Sequence, residues 1–487
     1  MRKVFLAFDL GASSGRGILG IFDGGRIELR EIHRFENGPL NRGGELFWDF
    51  PALCAELKKG IDLAFAAEPV IDGIGIDAWG VDYVFFDRTT LEPKRLPYNY
   101  RDHRTDHIAE KIWAKVPRAE LYRRTGIQHM QLNTICQLAA HKEAHPEDLA
   151  NAVFLPIPDA LALYLGGAAT AEYTECSTTG LLDPAARVWD WEIADRLGLP
   201  RDVFPEIVMP GTPAGTLKPE FGHGPVPIWK VASHDTASAV AAVPDPAGGP
   251  LYISCGTWAL LGAETSAPNC SPEAEKVPFT NEGGVDGTIR FLTNIMGSWL
   301  LQETRRSWRE AGRALSYNDM EAMARAAVPG KFLINPCDPV FLPPDDMPGR
   351  IRKFCAEHGQ GEISDDAALL RAIYDSLALA FARAVSGMEA ILGKSFPVLH
   401  TVGGGTRDAL LMQLTADASG KTVEAGPVEA TAVGNILMQA RAAGVCPDLA
   451  TAREWIKNAF PVRRFTPDPE SGKVFAGSRE RFEKFFA

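Results

Sequence analysis

Asp235 lies in a run of small and hydroxyl residues, Ser233-His234-Asp235-Thr236-Ala237-Ser238, and a second such run, Ser254-Cys255-Gly256-Thr257-Trp258, follows it closely. The first offers a carboxylate and the second a phosphate-sized turn. A third segment near the start, Asp9-Leu10-Gly11-Ala12-Ser13-Ser14-Gly15-Arg16, repeats the acid, glycine and hydroxyl recipe. Phosphoryl transfer passes through a loose transition state in which the protein mainly positions groups and stabilises charge on the transferring oxygens. Two glycine and hydroxyl turns facing each other can do this with backbone N–H groups and the hydroxyls of Ser13, Ser14 and Thr257. Arg16 adds a fixed positive charge. Asp9 suits a magnesium ion bound through water, because magnesium gives up its hydration shell reluctantly. Asp235 is then the base that takes the proton of an acceptor hydroxyl, with His234 and Thr236 touching the substrate or holding the carboxylate. Two plainer readings stand beside these. Asp9-x-Gly-x-Ser also reads as a hairpin turn, and Ser233 or Asp235 as the N-cap of a small-residue helix over 237–243. Cap and base are compatible.

The elements that must position these groups are legible in outline. Residues 4–8, 17–22 and 26–35 read as three extended runs joined by turns, the first at Asp9 and the second at Asp23-Gly24-Gly25. Asp49 and Pro51 open a helix whose Leu53, Leu57, Ile61 and Phe65 make one buried stripe. Residues 71–77 read as a buried strand ending in Asp77-Ala78-Trp79-Gly80-Val81-Asp82, where an α/β sheet carries its ligand groups. The breaker cluster Pro244-Asp245-Pro246-Ala247-Gly248-Gly249-Pro250 divides the chain into domains 1–245 and 246–487. After it, strand, hydroxyl turn and strand recur over 251–254, 256–257 and 260–265. Residues 366–392 form a core helix with apolar residues every three or four positions. A strand over 398–402 runs into Gly403-Gly404-Gly405-Thr406-Arg407-Asp408 and then a helix carrying Leu410, Leu411 and Leu414. Such a loop lets backbone lie against a ligand, but it serves equally as a tight strand-to-helix turn. Asn294 and Gln302 flank Gly297 at another strand-to-helix passage. The stretch from Arg463 onward reads as polar and peripheral.

Composition narrows the partners. Fifty Lys and Arg against 62 Asp and Glu give a net charge of -12, which leaves no electrostatic footprint for nucleic acid or an anionic membrane. Small-molecule work is favoured, and no obligate protein partner is evident. The eight cysteines show no Cys-x-x-Cys spacing and read as reduced thiols of a cytoplasmic protein. The apolar start is cut at Asp9, too short for a signal-peptide core, and no run long enough to span a bilayer occurs. His103/His107 and His141/His145 have the four-residue spacing of helical metal ligands but lack a third ligand, so they read as surface helix positions. Trp79 and Trp299 lie at loop edges where a ring can stack on a sugar, with packing as the plainer role.

These segments resemble the FGGY carbohydrate kinases of the actin-like ATPase superfamily nearly end to end, and within them the branch that acts on L-rhamnulose. The resemblance is carried by 9–16, 30–35, 75–82, Tyr100-Arg101-Asp102-His103-Arg104-Thr105, 232–240, Thr280-Asn281-Glu282-Gly283-Gly284, Asn294-Ile295-Met296-Gly297 and Gly426-Pro427-Val428-Glu429-Ala430. It implies an α/β protein of two actin-like (ribonuclease H-like) lobes with the active site in the cleft between them. It implies that Ala12, Ser13, Ser14, Gly15 and Arg16 bind ATP phosphates, that Thr257 and Gln302 contact the nucleotide, and that Gly403, Gly404 and Gly405 lie by the adenosine. It further implies that Gly80, His234, Asp235, Thr236 and Asn294 line the sugar site, with Asp235 as proton acceptor, ATP and magnesium as cofactors, and L-rhamnulose phosphorylated at its 1-hydroxyl. Ala78, where these kinases often carry threonine, and Gln128-His129-Met130-Gln131-Leu132 depart from the pattern. Those departures leave a related ketose, L-fuculose or L-xylulose, as the alternative substrate. A non-catalytic actin-like switch, the reading from another class, would need no base.

Overall fold

The computed structural model describes residues 2–23 and 26–486. The second half of the predicted Asp23-Gly24-Gly25 turn lies outside the described residues. The chain forms two compact units. One takes the polypeptide up to Gly249 with Glu264–Phe291 and Ala430–Ala459, and the other takes Pro250–Ala263, Leu292–Glu429 and the chain from Phe460.

The first unit is built on a six-stranded sheet. Its order is Pro213–Thr216, Pro227–Trp229, Gly73–Ala78, Lys3–Leu10, Ser14–Asp23, Arg26–Glu36. The last three are antiparallel neighbours, as the sequence predicts. Gly73–Ala78 pairs in parallel with Lys3–Leu10, and Pro227–Trp229 in parallel with Gly73–Ala78. Helix Phe50–Ala67 is capped by Asp49, whose side chain accepts from the Ala52 N–H, and buries Leu53, Leu57, Ile61 and Ala64. Phe65 is only half buried and stacks on His223 instead, with ring centroids 4.0 Å apart.

The opposite face of the sheet follows from strand alternation. Gly73, Gly75 and Asp77 share it with Phe5, Ala7 and Asp9, their partners in register. Small side chains let helix Ala430–Ala442 settle close: a Cβ on Gly75 would fall 2.5 Å from the Asn435 Oδ1, and one on Gly20 2.3 Å from Ile436. The same helix lies against helix Asp235–Ala241 with even less room. A Cβ on Gly434 would stand 1.8 Å from the carbonyl oxygen of Ser238. That neighbour is backbone, so a helix must move. We expect Gly434→Ala to cost about 1–3 kcal/mol of stability and to lower kcat as well, because the displaced helix begins at Asp235; urea unfolding with activity followed in parallel checks both.

The second unit has a sheet running Ile289–Met296, Trp258–Thr265, Leu251–Cys255, Val398–Val402, Thr422–Ala425, Arg463–Phe465. Leu251–Cys255 pairs antiparallel with Trp258–Thr265 and parallel with Val398–Val402. Helix Asp366–Leu392 has the predicted bounds and buries Leu369, Ile373, Leu377, Phe381, Val385 and Met388. The C-terminal stretch is less peripheral than its composition suggests. Arg463–Phe465 extends the sheet, and helix Pro469–Glu483, capped by Asp468, buries Phe475 and Phe482 on one face. Two aromatic residues seven positions apart anchor an otherwise polar helix.

Candidate active site

Asp235 is the first residue of helix Asp235–Ala241, and the N-cap position is His234, whose side chain makes no capping hydrogen bond. Neither Ser233 nor Asp235 occupies the cap position. The approach to the helix is pinned from below. The Ser233 N–H donates to Glu172 (3.1 Å), the His234 N–H to the Thr174 hydroxyl (3.2 Å), and the Ala78 N–H to the Ser233 carbonyl (2.9 Å). Asp235 therefore sits just beyond the carboxyl ends of the parallel strands, where open α/β sheets hold ligands. Its flanking residues 231–234 and 236–240 are buried, while its own side chain stays 32% exposed. The Thr236 hydroxyl donates to the Asp235 Oδ1 at 3.1 Å, and the His234 Nε2 lies 3.6 Å from the same oxygen.

The ends of the neighbouring strands add two more carboxylates. Asp9 pairs in register with Asp77 on one side and with Arg16 on the other. The Arg16 guanidinium donates to the Asp9 Oδ2 at 2.5 Å. Asp77 is fully buried, and the Asn435 amide donates to its Oδ2 at 2.6 Å. Burial first, then the charge of Asp9, push the Asp77 carboxyl well above the usual range. Among the described residues no group of three or more His, Cys, Asp or Glu forms a metal site. Magnesium, however, is usually held by one or two carboxylates with waters and substrate phosphates, so the Asp9 carboxylate fits that role through its hydration shell. Residues 11–14 form the predicted hairpin turn, closed by the Gly11 N–H on the Ser14 carbonyl at 2.9 Å.

Gly80 lies beside His234: a Cβ there would stand 3.1 Å from the imidazole Nε2 and 3.4 Å from the Thr178 hydroxyl. The loop that carries Gly80 is held by Asp82, which accepts the indole N–H of Trp48 (2.6 Å) and of Trp79 (3.0 Å) and the Gln137 amide (2.8 Å). Burial pushes the Asp82 carboxyl up to about 6. Trp79 is thus a packing residue, 4.2 Å from the Trp48 ring and only 6% exposed. Ala78 is fully buried in its strand and meets His234 through backbone.

In the second unit the other predicted residues converge on the ends of Leu251–Cys255 and Val398–Val402. The Gly256 N–H bonds the Trp258 carbonyl (2.8 Å), closing a turn one residue shorter than that at Gly11. The Ser298 hydroxyl donates to the Gly256 carbonyl, the Gln302 amide to the Ser298 hydroxyl, and the Thr257 hydroxyl to Gln302 at 3.5 Å. A Cβ on Gly405 would fall 2.3 Å from the Cys255 sulfur and one on Gly403 3.0 Å from the Cys255 carbonyl, whereas Gly404 faces open space. Two glycines are needed for packing, and the third leaves its backbone exposed. Asn294 lies in this unit, at the end of strand Ile289–Met296, while Gly80, His234, Asp235 and Thr236 belong to the first.

Four residues stand where sequence reasoning did not place them. Asn435 carries no local signal and reaches Asp77 across 358 residues. Arg290 and Glu282 lie against His234; the 280–284 segment includes Glu282, and nothing in the sequence pointed to Arg290. His141, predicted on a helix surface, is 3% exposed; it bonds Asp148 at 3.1 Å and Tyr83 at 3.3 Å. Burial pushes its imidazole down to about 4, and spacing alone could not say which helix face it occupies. His103 is 86% exposed at the side chain, as expected. All eight cysteines are free thiols, and among the described residues no helix is long and apolar enough to cross a membrane.

Comparison with known proteins identifies the family and the fold. Residues 4–241 match the N-terminal domain, and residues 251–443 the C-terminal domain, of the FGGY family of carbohydrate kinases. The chain is 40% identical over 474 residues to a rhamnulokinase of Bacteroides thetaiotaomicron, covering 96% of each chain. It is 42% identical over 487 residues to one of Pectobacterium carotovorum, covering 99% of this chain and 96% of the relative. Among solved structures, xylulose kinase from Lactobacillus acidophilus superposes with a TM-score of 0.81 at 16% identity, over 100% of this chain and 99% of that one. Plasmodium falciparum glycerol kinase with ADP gives 0.81 at 16%, over 99% and 98%. The fold is the α/β actin-like ATPase fold of these kinases.

Proposed function

The chain belongs to the FGGY family of carbohydrate kinases, and we propose that it transfers the γ-phosphoryl group of ATP to the 1-hydroxyl of L-rhamnulose, giving L-rhamnulose 1-phosphate and ADP. The observation that carries the choice of sugar is identity of about 40% to rhamnulokinases over nearly the whole chain. We assign sugar binding to Gly80, His234, Asp235, Thr236 and Asn294, and adenosine binding to Gly403, Gly404 and Gly405.

In this reading Asp235 accepts the proton of the 1-hydroxyl as that oxygen bonds to the γ-phosphorus, and the bond to the β,γ-bridging oxygen breaks with its electrons leaving on ADP. Backbone N–H groups and hydroxyls of Ala12, Ser13, Ser14, Gly15 and Thr257, with Gln302, hold the phosphates. Arg16 supplies positive charge, and its ion pair with Asp9 fixes both side chains. A bound magnesium ion would neutralise charge on the phosphate oxygens; Asp9 is the group to which we assign its water shell.

The test is a ketose panel. L-rhamnulose should exceed L-fuculose and L-xylulose in kcat/KM by on the order of 10-fold or more, since a pocket that hydrogen-bonds sugar hydroxyls discriminates strongly against their misplacement. Faster turnover of another ketose would reassign the substrate and leave the chemistry standing.

A further inference from the structure

Arg290 is completely buried, and its guanidinium makes two hydrogen bonds and one ion pair. Its Nε donates to the Gly283 carbonyl at 2.8 Å, its Nη1 lies 3.0 Å from the Glu282 carboxylate, and its Nη2 stands 2.9 Å from the Nδ1 of His234. A guanidinium has donors only. The imidazole nitrogen that faces it must therefore accept, and in a neutral ring the proton is then on the other nitrogen, Nε2. The Glu282 carboxylate approaches the same Nδ1 at 3.4 Å and would favour a proton there. The contact to Arg290 is shorter, and a proton on Nδ1 would face an N–H donor across 2.9 Å.

We propose that Arg290 is a positioning residue for phosphoryl transfer, fixing the His234 tautomer so that its Nε2–H is presented beside Asp235. The proposal rests on reading Asp235 as the base of the sugar site. Two features give the tautomer a consequence there. Nε2 lies 3.6 Å from the Asp235 Oδ1, and Gly80 has no side chain beside it, where a Cβ would stand 3.1 Å away. His234 is thus a hydrogen-bond donor to a sugar oxygen next to the reacting hydroxyl, and it keeps its proton while Asp235 gains one. In the other tautomer Nε2 would be an acceptor competing with Asp235 for the same hydroxyl proton.

The measurement is nitrogen NMR of the full chain labelled in its histidine rings, with the His234 signals identified by their loss in His234→Gln. Wild-type His234 should show an unprotonated Nδ1 and a protonated Nε2. Arg290→Met should move the proton to Nδ1, where Glu282 accepts it, and lower kcat by on the order of 10-fold with the KM for ATP unchanged. Arg290→Lys, still a donor only, should keep the wild-type tautomer and recover part of kcat. A wild-type ring protonated on Nδ1 overturns the proposal, as does Arg290→Met with both tautomer and kcat intact. Should Arg290→Met fail to fold, the wild-type spectrum and Arg290→Lys decide. Full activity of Asp235→Asn would instead overturn the assignment of the base, and the tautomer measurement would stand apart from that result.

Discussion

Asp235→Asn is expected to lower kcat by on the order of 10²- to 10⁴-fold while the KM values for ATP and sugar change little. The substitution preserves shape at the start of a helix whose approach is held by Glu172 and Thr174 and not by the Asp235 side chain. The Thr236 hydroxyl, which donates to Oδ1 in the wild type, can donate equally to an amide oxygen. What the variant loses is the ability to accept a proton in the transition state, and an interaction made only there lowers kcat and kcat/KM together. Single-turnover rates with L-rhamnulose and ATP measure the chemical step directly. Retained kcat would show that the proton leaves by another route.

The residues of this site were unequally legible. Asp235 and its neighbours stood out as a candidate only because glycine and hydroxyl residues recur near Asp9 and Thr257; alone, a carboxylate among small and hydroxyl residues reads equally as a helix cap. The long helix Asp366–Leu392 was readable to its ends because seven turns of apolar periodicity leave little choice. Asn435 and Arg290 were not, since nothing local distinguishes a helix asparagine or a strand arginine that will face a carboxylate or an imidazole far off in the chain. The role of Asn435 arises from register: Gly73, Gly75 and Asp77 alternate onto one sheet face, and helix Ala430–Ala442 lies on it. His141 shows the converse. Its spacing from His145 located a helix, but the aromatic neighbours Tyr83 and Phe85 decided that it faced inward.

Arg453→Met is expected to cost about 3–5 kcal/mol of stability, because it breaks a buried ion pair from one side. Arg453 is 2% exposed and Glu264 8%, and they meet at 2.8 Å through Nη2 and Oε2. The guanidinium also donates to the carbonyls of Val240 and Ala241 at 3.2 and 3.4 Å. Those carbonyls end the helix that begins at Asp235, so a buried cation satisfies the acceptors of its last turn and complements its dipole. Methionine would leave a carboxylate without its partner and two carbonyls without a donor. Arg453→Met/Glu264→Met removes both charges, and apolar replacement of a whole buried pair is often close to neutral, so stability should return most of the way in a denaturant series. The carbonyls stay uncapped in the double variant, so kcat should recover less than stability does. Loss of under about 1 kcal/mol in the single variant, the range of an exposed pair, would show that the Arg453 pair contributes no more than a surface contact. Equal recovery of stability and kcat in the double variant would show that charge balance, and not the capped helix end, is what carries the effect from Arg453 to Asp235.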